Sequence, residues 1–134
     1  MGVADIPLLG QIKGRLGWLD ERQRVIASNV ANADTPGYVG RDLRQPTDFA
    51  AALRDRRLTM TRTNAAHIAP AGSPVRFDPT KAPDSETTLD GNSVVVEEQM
   101  LKMAESRMAY DAAIGFYQKS MSMIRLAAKK PGQA

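Results

Sequence analysis

Apolar positions advance by alternating steps of three and four along two separate stretches of the chain. The first runs through Leu9, Ile12, Leu16, Leu19, Gln23, Ile26 and Val30. That spacing is the heptad stripe of a helix, with Gln23 as its single polar member. It predicts an N-terminal coiled-coil helix within residues 1–33. Pro7 falls in the first turn, where its missing N–H costs no helical bond, and Asp5 is placed to cap it. Gly10, Gly14 and Gly17 each lower helix propensity by ~1 kcal/mol relative to Ala, so this helix needs partners to hold its shape. Its end is sharply written, because Asn32-Ala33-Asp34-Thr35-Pro36-Gly37 joins helix-disfavouring residues to a Pro-Gly turn.

The second stripe runs through Val96, Met100, Met103, Arg107, Tyr110, Ile114, Tyr117, Met121, Ile124 and Ala128, again with one polar member, Arg107. It predicts a C-terminal coiled-coil helix within residues 91–134. Asp90-Gly91-Asn92-Ser93 supplies a turn and an N-cap, and Glu97 and Glu98 complement the positive end of the helix dipole. Lys129 and Lys130 complement the other end, and Pro131-Gly132 stops the helix. A helix from about 93 to 129 would be roughly 50 Å long at ~1.5 Å per residue. A chain of 134 residues cannot cover that length alone.

The middle, 34–90, contains no long periodic stretch. Asp48 to Leu58 could form a short helix capped by Thr47, and Leu58 to Thr63 alternates apolar and polar as a short strand does. Beyond His67, the stretch through Pro70, Pro74, Pro79 and Pro83 reads as an extended linker. The expected fold class is therefore mainly α. Two long terminal helices form an antiparallel coiled-coil pair around an irregular, partly extended or β middle segment. Pairing Val30 with Met100 sets an antiparallel register in which Leu16 faces Ile114 and Leu9 faces Met121. The same register brings Gln23 level with Arg107 as a single polar layer.

Composition removes most chemistry. The chain has no cysteine and one histidine, His67, so disulfides, thiolate sites, a Cys nucleophile and a His-based metal site have no material. No nucleophile–base pair, zinc-protease motif or Gly-rich phosphate loop is present. The expectation is no enzyme, no cofactor, no catalytic residue and no metal site. No stretch approaches the ~18–20 apolar residues of a membrane span, and no Sec-type signal pattern opens the chain. The net charge of +3 arises in residues 41–80, which hold seven Arg against four acids. Arg54, Arg56, Arg57 and Arg62 alternate with acids and lack interleaved aromatics, which favours an acidic protein surface over nucleic acid. Two architectures fit these features: a self-contained helical-hairpin adaptor with a basic middle surface, or a subunit whose helices pack against those of neighbours. The length of the stripes favours the second.

Ser28-Asn29-Val30-Ala31-Asn32-Ala33-Asp34-Thr35-Pro36-Gly37-Tyr38 resembles the N-terminal signature of bacterial flagellar rod and hook proteins. Arg41-Asp42-Leu43, Leu58-Thr59-Met60-Thr61 and Leu89-Asp90-Gly91-Asn92-Ser93-Val94 follow in order, and the resemblance is closest to the proximal rod members. It implies a structural component of the flagellar basal body, required for motility, that joins the MS ring and export gate to the rest of the axial structure. It implies export through the flagellar type III apparatus without a cleaved signal peptide, and a place in the periplasmic rod. The partners implied are rod proteins of the FlgC and FlgF type, the adaptor FliE, the MS ring and neighbouring copies of the chain.

The residues expected to carry this role form two sets. The helix seams comprise Leu9, Ile12, Leu16, Leu19, Ile26, Val30, Met100, Met103, Tyr110, Ile114, Tyr117, Met121 and Ile124. The family turn comprises Asn29, Asn32, Asp34, Thr35, Pro36, Gly37 and Tyr38, with Gly37 free to adopt positive φ.

Overall fold

The computed structural model describes residues 7–45 and 77–129. The expected short helix from Asp48, the strand from Leu58, the Arg54–Arg62 cluster and His67 lie outside the described residues, as do Asp5, Lys130 and Pro131-Gly132. Two helices dominate: α1, Pro7–Ala31, and α2, Val96–Ala128. Between them β1, Arg41–Asp42, pairs antiparallel with β2, Thr80–Lys81, with Arg41 opposite Lys81 and Asp42 opposite Thr80. This is the mainly α fold with a partly extended middle that the hydrophobic pattern predicts.

Helix α1 opens on Pro7, whose fixed φ suits the first helical position and whose absent N–H would have no intrahelical acceptor there. At its other end the Asn32 N–H is shared between the carbonyls of Ser28 and Asn29, each at 3.1 Å. Helix α2 carries Glu97 and Glu98 in its first turn, as expected. Its N-cap is Val95 in extended geometry, not Ser93. The Ser93 hydroxyl oxygen instead accepts the Gly40 N–H at 3.1 Å.

The helices run antiparallel. Asn29 near the end of α1 bonds Gln99 near the start of α2. Trp18 and Leu19, halfway along α1, form a core with Val25 and Leu43, against which Ala109 and Tyr110 pack. The register is displaced by one residue on each helix from the pairing of Val30 with Met100. On α1 the stripe faces inward, with Leu9, Leu19 and Ile26 buried and Ile12, Leu16, Gln23 and Val30 half-buried.

On α2, Met103, Tyr110, Ile114, Tyr117, Met121 and Ile124 are half-buried, whereas Met100 and Arg107 are exposed. The most buried positions of α2 are instead Gln99, Ser106 and Ser120, one residue earlier than the expected column. The reason is steric and polar together. Ser106 and Ser120 are small enough to let the two backbones approach, and Gln99 satisfies the Asn29 amide, which Met100 could not. The expected layer of Gln23 and Arg107 is therefore not formed, since Arg107 points to solvent. The buried polar layer is Asn29 with Gln99.

After the turn at the end of α1, the chain runs back along that helix in the opposite direction. Arg41 meets Asn29, Asp42 meets Arg22, and the Arg44 carbonyl meets Trp18. Helix α1 thus has two buried faces, one for α2 and one for this returning arm.

Candidate functional site

The turn that ends α1 and the segment that leads into α2 are locked together, and their glycines make the contact possible. Gly37 has φ +69° and Gly91 has φ +84°, both in the left-handed region that costs other residues strain. The Gly37 N–H donates to the Asp90 carbonyl at 2.9 Å. A Cβ on Gly91 would stand 3.4 Å from the Gly37 Cα, so the two turns pack backbone to backbone. Asn92, buried, donates both amide hydrogens to turn carbonyls: Asn32 at 2.9 Å and Thr35 at 2.8 Å. Its side-chain oxygen accepts the Val94 N–H at 2.9 Å. The Ser93 N–H donates to the Tyr38 carbonyl at 3.0 Å.

Beneath this contact lies a connected polar chain. Asn29 is fully buried and fully engaged. Its amide nitrogen donates to the Arg41 carbonyl at 2.7 Å and to Gln99 Oε1 at 2.9 Å. Its oxygen accepts the Arg41 N–H at 3.0 Å and the Tyr38 hydroxyl at 3.2 Å. Gln99 continues the chain by donating Nε2 to Asp84 Oδ2 at 2.8 Å. The same carboxylate oxygen accepts the Val95 N–H at 2.9 Å, capping the start of α2 with a negative charge from outside the helix. Asp84 Oδ1 takes the Lys102 ammonium at 2.6 Å. Burial pushes the Asp84 carboxyl up, but hydrogen bonds from Gln99, Lys102 and the Val95 N–H, with the Lys102 charge, outweigh it and hold its pKa below the ordinary carboxylate value.

The arm is fastened to the other face of α1 by Arg22 and Trp18. Arg22 grips Asp42 bidentately, Nε to Oδ1 at 2.9 Å and Nη2 to Oδ2 at 3.0 Å. Trp18 Nε1 donates to the Arg44 carbonyl at 2.8 Å. The guanidinium groups of Arg15 and Arg22 lie 4.7 and 5.5 Å from the Trp18 ring centroid, both within cation–π range. These donors and acceptors are satisfied by one another. The arrangement fixes the angle between α1, the arm and the start of α2, which is mechanical work.

Of the turn residues read from the sequence, Asn29, Asn32, Thr35, Gly37 and Tyr38 all enter this clasp. Asp34 and Pro36 are exposed and shape the turn without bonding across it. Sequence reasoning missed Gln99, Asp84 and Trp18. Gln99 sits one residue off the apolar stripe, so periodicity hid it. Asp84 follows Pro83 in a stretch with no pattern, and only the sum of its partners marks it. Trp18 had a signal: the one tryptophan of the chain, beside a stripe residue, widens the apolar face toward a second partner.

A family described as flagella basal body rod protein matches residues 15–38, which span about the last two thirds of α1 and the whole turn. The chain is 32% identical to the flagellar basal body rod protein FlgB of Proteus mirabilis over 107 residues, covering 72% of this chain and 75% of that protein. It is 30% identical over 119 residues to FlgB of Agrobacterium fabrum, covering 84% of this chain and 86% of that one. With FlgB of Escherichia coli K12 it shares 35% over 104 residues, 70% of this chain and 72% of the other. The chain belongs to the flagellar basal body rod proteins. Within them, its relatives place it in the FlgB family.

Proposed function

We propose that this chain is a structural subunit of the proximal rod of the bacterial flagellar basal body, joining the MS ring and export gate to the rest of the axial structure. The observation that carries this reading is the clasp. The family turn is bonded at its centre to the approach to α2, so both helices leave one rigid joint at a set angle. A subunit of an ordered axial assembly needs that, because an error at the joint grows along helices of this length. The role is structural and not enzymatic.

In this reading residues 1–33 and 91–134 are the packing helices and 34–90 is the connecting segment. The half-buried seam residues, Tyr110, Ile114 and Tyr117 among them, and the exposed Met100 are available to neighbouring subunits. Neighbours of the FlgC and FlgF type, FliE at the membrane end, the MS ring and further copies of the chain would meet these surfaces. Delivery through the type III apparatus without a cleaved signal, to a periplasmic rod, fits the same scheme. No helix among the described residues is long and apolar enough to cross a membrane.

Isolated basal bodies from cells carrying a tagged copy test the proposal. Co-purification of the chain with the rod, and loss of motility on its deletion, are the expected results. A soluble chain absent from basal bodies, with motility intact in the deletion strain, would return the reading to a helical-hairpin adaptor.

A further inference from the structure

Helix α2 is apolar on two sides. One faces α1. The other carries Leu101, Met108, Phe116, Met123 and Leu126, which are 55–72% exposed. At roughly 100° per residue, Leu101, Glu105, Met108, Ala112, Phe116, Lys119 and Met123 fall within an arc of about 80°, centred roughly 110° around the helix from the Gln99, Ser106 and Ser120 column. Read outward from Ala112 in either direction, the stripe is a palindrome of chemistry. An apolar residue stands four positions away on each side, Met108 and Phe116. A charge stands seven away, Glu105 on one side and Lys119 on the other. An apolar residue stands eleven away, Leu101 and Met123.

We propose that this outer face of α2 docks on the same face of a second copy of the chain, antiparallel, with the twofold axis at Ala112. In that register Leu101 meets Met123, Met108 meets Phe116 and Glu105 meets Lys119, each pair twice by symmetry. The sulfur of Met108 gains an aromatic partner. Small residues at the centre and flanks, Ala112, Ala104, Gly115 and Ser122, let the helices approach closely. Glu105 and Lys119 are both exposed, and neither is in an ion pair among the described residues. A parallel, in-register pair would set Glu105 on Glu105 and Lys119 on Lys119, which like-charge repulsion disfavours. The contact is isologous and closes after two copies, whereas axial growth needs contacts that stay open. It is therefore a property of the isolated chain and does not rest on the rod reading.

Sedimentation equilibrium of the full chain tests the proposal, with helix content followed by circular dichroism. The expected result is a reversible dimer. Lys119→Glu or Glu105→Lys alone should weaken it about tenfold or more, because symmetry counts each substitution twice. The double variant carrying both should restore it. As the chain has no cysteine of its own, position is read directly by oxidation. The Ala112→Cys chain should cross-link with itself. The Leu101→Cys chain should not, but it should cross-link when mixed with the Met123→Cys chain. A chain that sediments as a monomer at every concentration would overturn the dimer and leave rod membership untouched. A dimer indifferent to both charge reversals, or one in which Leu101→Cys self-links as readily as Ala112→Cys, would overturn the antiparallel register.

Discussion

Asn29 on α1 and Gln99 on α2 bond across 2.9 Å in a fully buried site, and every hydrogen-bonding group of the Asn29 side chain is used. The pair sits where the turn, the returning arm and the start of α2 converge. It is thus the point at which a local signature in the sequence becomes a tertiary constraint.

Removing either amide should cost more than an ordinary surface change. Asn29→Ala strands the Arg41 N–H and carbonyl, the Gln99 oxygen and the Tyr38 hydroxyl, and each buried unsatisfied group costs about 1–3 kcal/mol. Some of these groups will relax toward solvent, so a total loss of roughly 3 kcal/mol is expected. Gln99→Ala should cost less, because Asp84 keeps Lys102 and the Val95 N–H. A double-mutant cycle by denaturant unfolding, followed through Trp18 emission, should show coupling above ~0.5 kcal/mol. Additive losses would mean that the two amides act separately.

Gly37→Val should weaken the clasp through backbone strain alone. The position has φ +69° and a Cβ there would meet nothing within 4 Å, so the Cβ itself adds no crowding. The expected loss is about 1–2 kcal/mol, and Gly37→Asn should lose distinctly less because Asn tolerates that conformation. The same substitution should impair rod assembly, scored as swimming in soft agar, more than changes in the proline-rich stretch 69–83. Asp84, at the end of that stretch, is excluded from the comparison by its place in the clasp. Equal melting midpoints for the Val and Asn variants would reject the strain account.

How much of this was legible in the chain differs by feature. The helices were, because a 3-4 apolar pattern and a Pro-Gly stop are local facts about neighbouring residues. The inward face of α1 was legible for the same reason. The rotation of α2 was not: its true seam is Gln99, Ser106 and Ser120, residues whose burial depends on what α1 puts opposite them. A stripe drawn through the larger apolar residues therefore lands one residue past that column. The short β1–β2 pair escaped because two residues carry no periodicity. Turn chemistry announced Gly37, but nothing local tells that Asn92 reaches back to Asn32 and Thr35.

Acid should loosen the joint. The Asp84 carboxyl has its pKa held below the ordinary value, so its ionised form is favoured by folding. Asp90 is shifted the same way by hydrogen bonds from Thr88 and the Asn92 N–H. A depressed carboxylate contributes stability that is complete above its unfolded pKa, about 3.9, and lost as pH falls through the folded value. Thermal midpoints should therefore be level near neutrality and fall below about pH 4. Asp84→Asn should lower the midpoint at pH 7 and shallow the acid slope, with Asp90 retaining part of it. An unchanged acid slope in Asp84→Asn would remove Asp84 from the account.

Arg22→Lys should detach the arm without disturbing the helix pair. A single ammonium cannot reproduce the bidentate grip on Asp42, and it lies less well over an aromatic ring. The arm would then release the Arg44 carbonyl from Trp18 Nε1 and let water reach the indole. A red shift of Trp18 emission with nearly unchanged helical circular dichroism is expected, with a loss of about 1 kcal/mol. Emission identical to the parent would show that the arm is held by its apolar contacts through Leu43.

One substitution should act in the opposite direction. Ser106 is buried against α1, and its Oγ has no hydrogen-bond partner among the described residues. A buried hydroxyl without a partner gives up hydration and gains nothing in return. Ala keeps the close approach of the helices, removes that penalty and has the higher helix propensity by about 0.5 kcal/mol. Ser106→Ala is thus expected to stabilise the chain by roughly 1 kcal/mol, raising the denaturant midpoint without changing the slope. Ser120→Ala, at the far end of the same column, is the comparison. It should gain less, since Ser120 is not fully enclosed and retains some hydration. Destabilisation by Ser106→Ala would mean that the hydroxyl has a partner in solution, most simply a water held in the seam between the two helices.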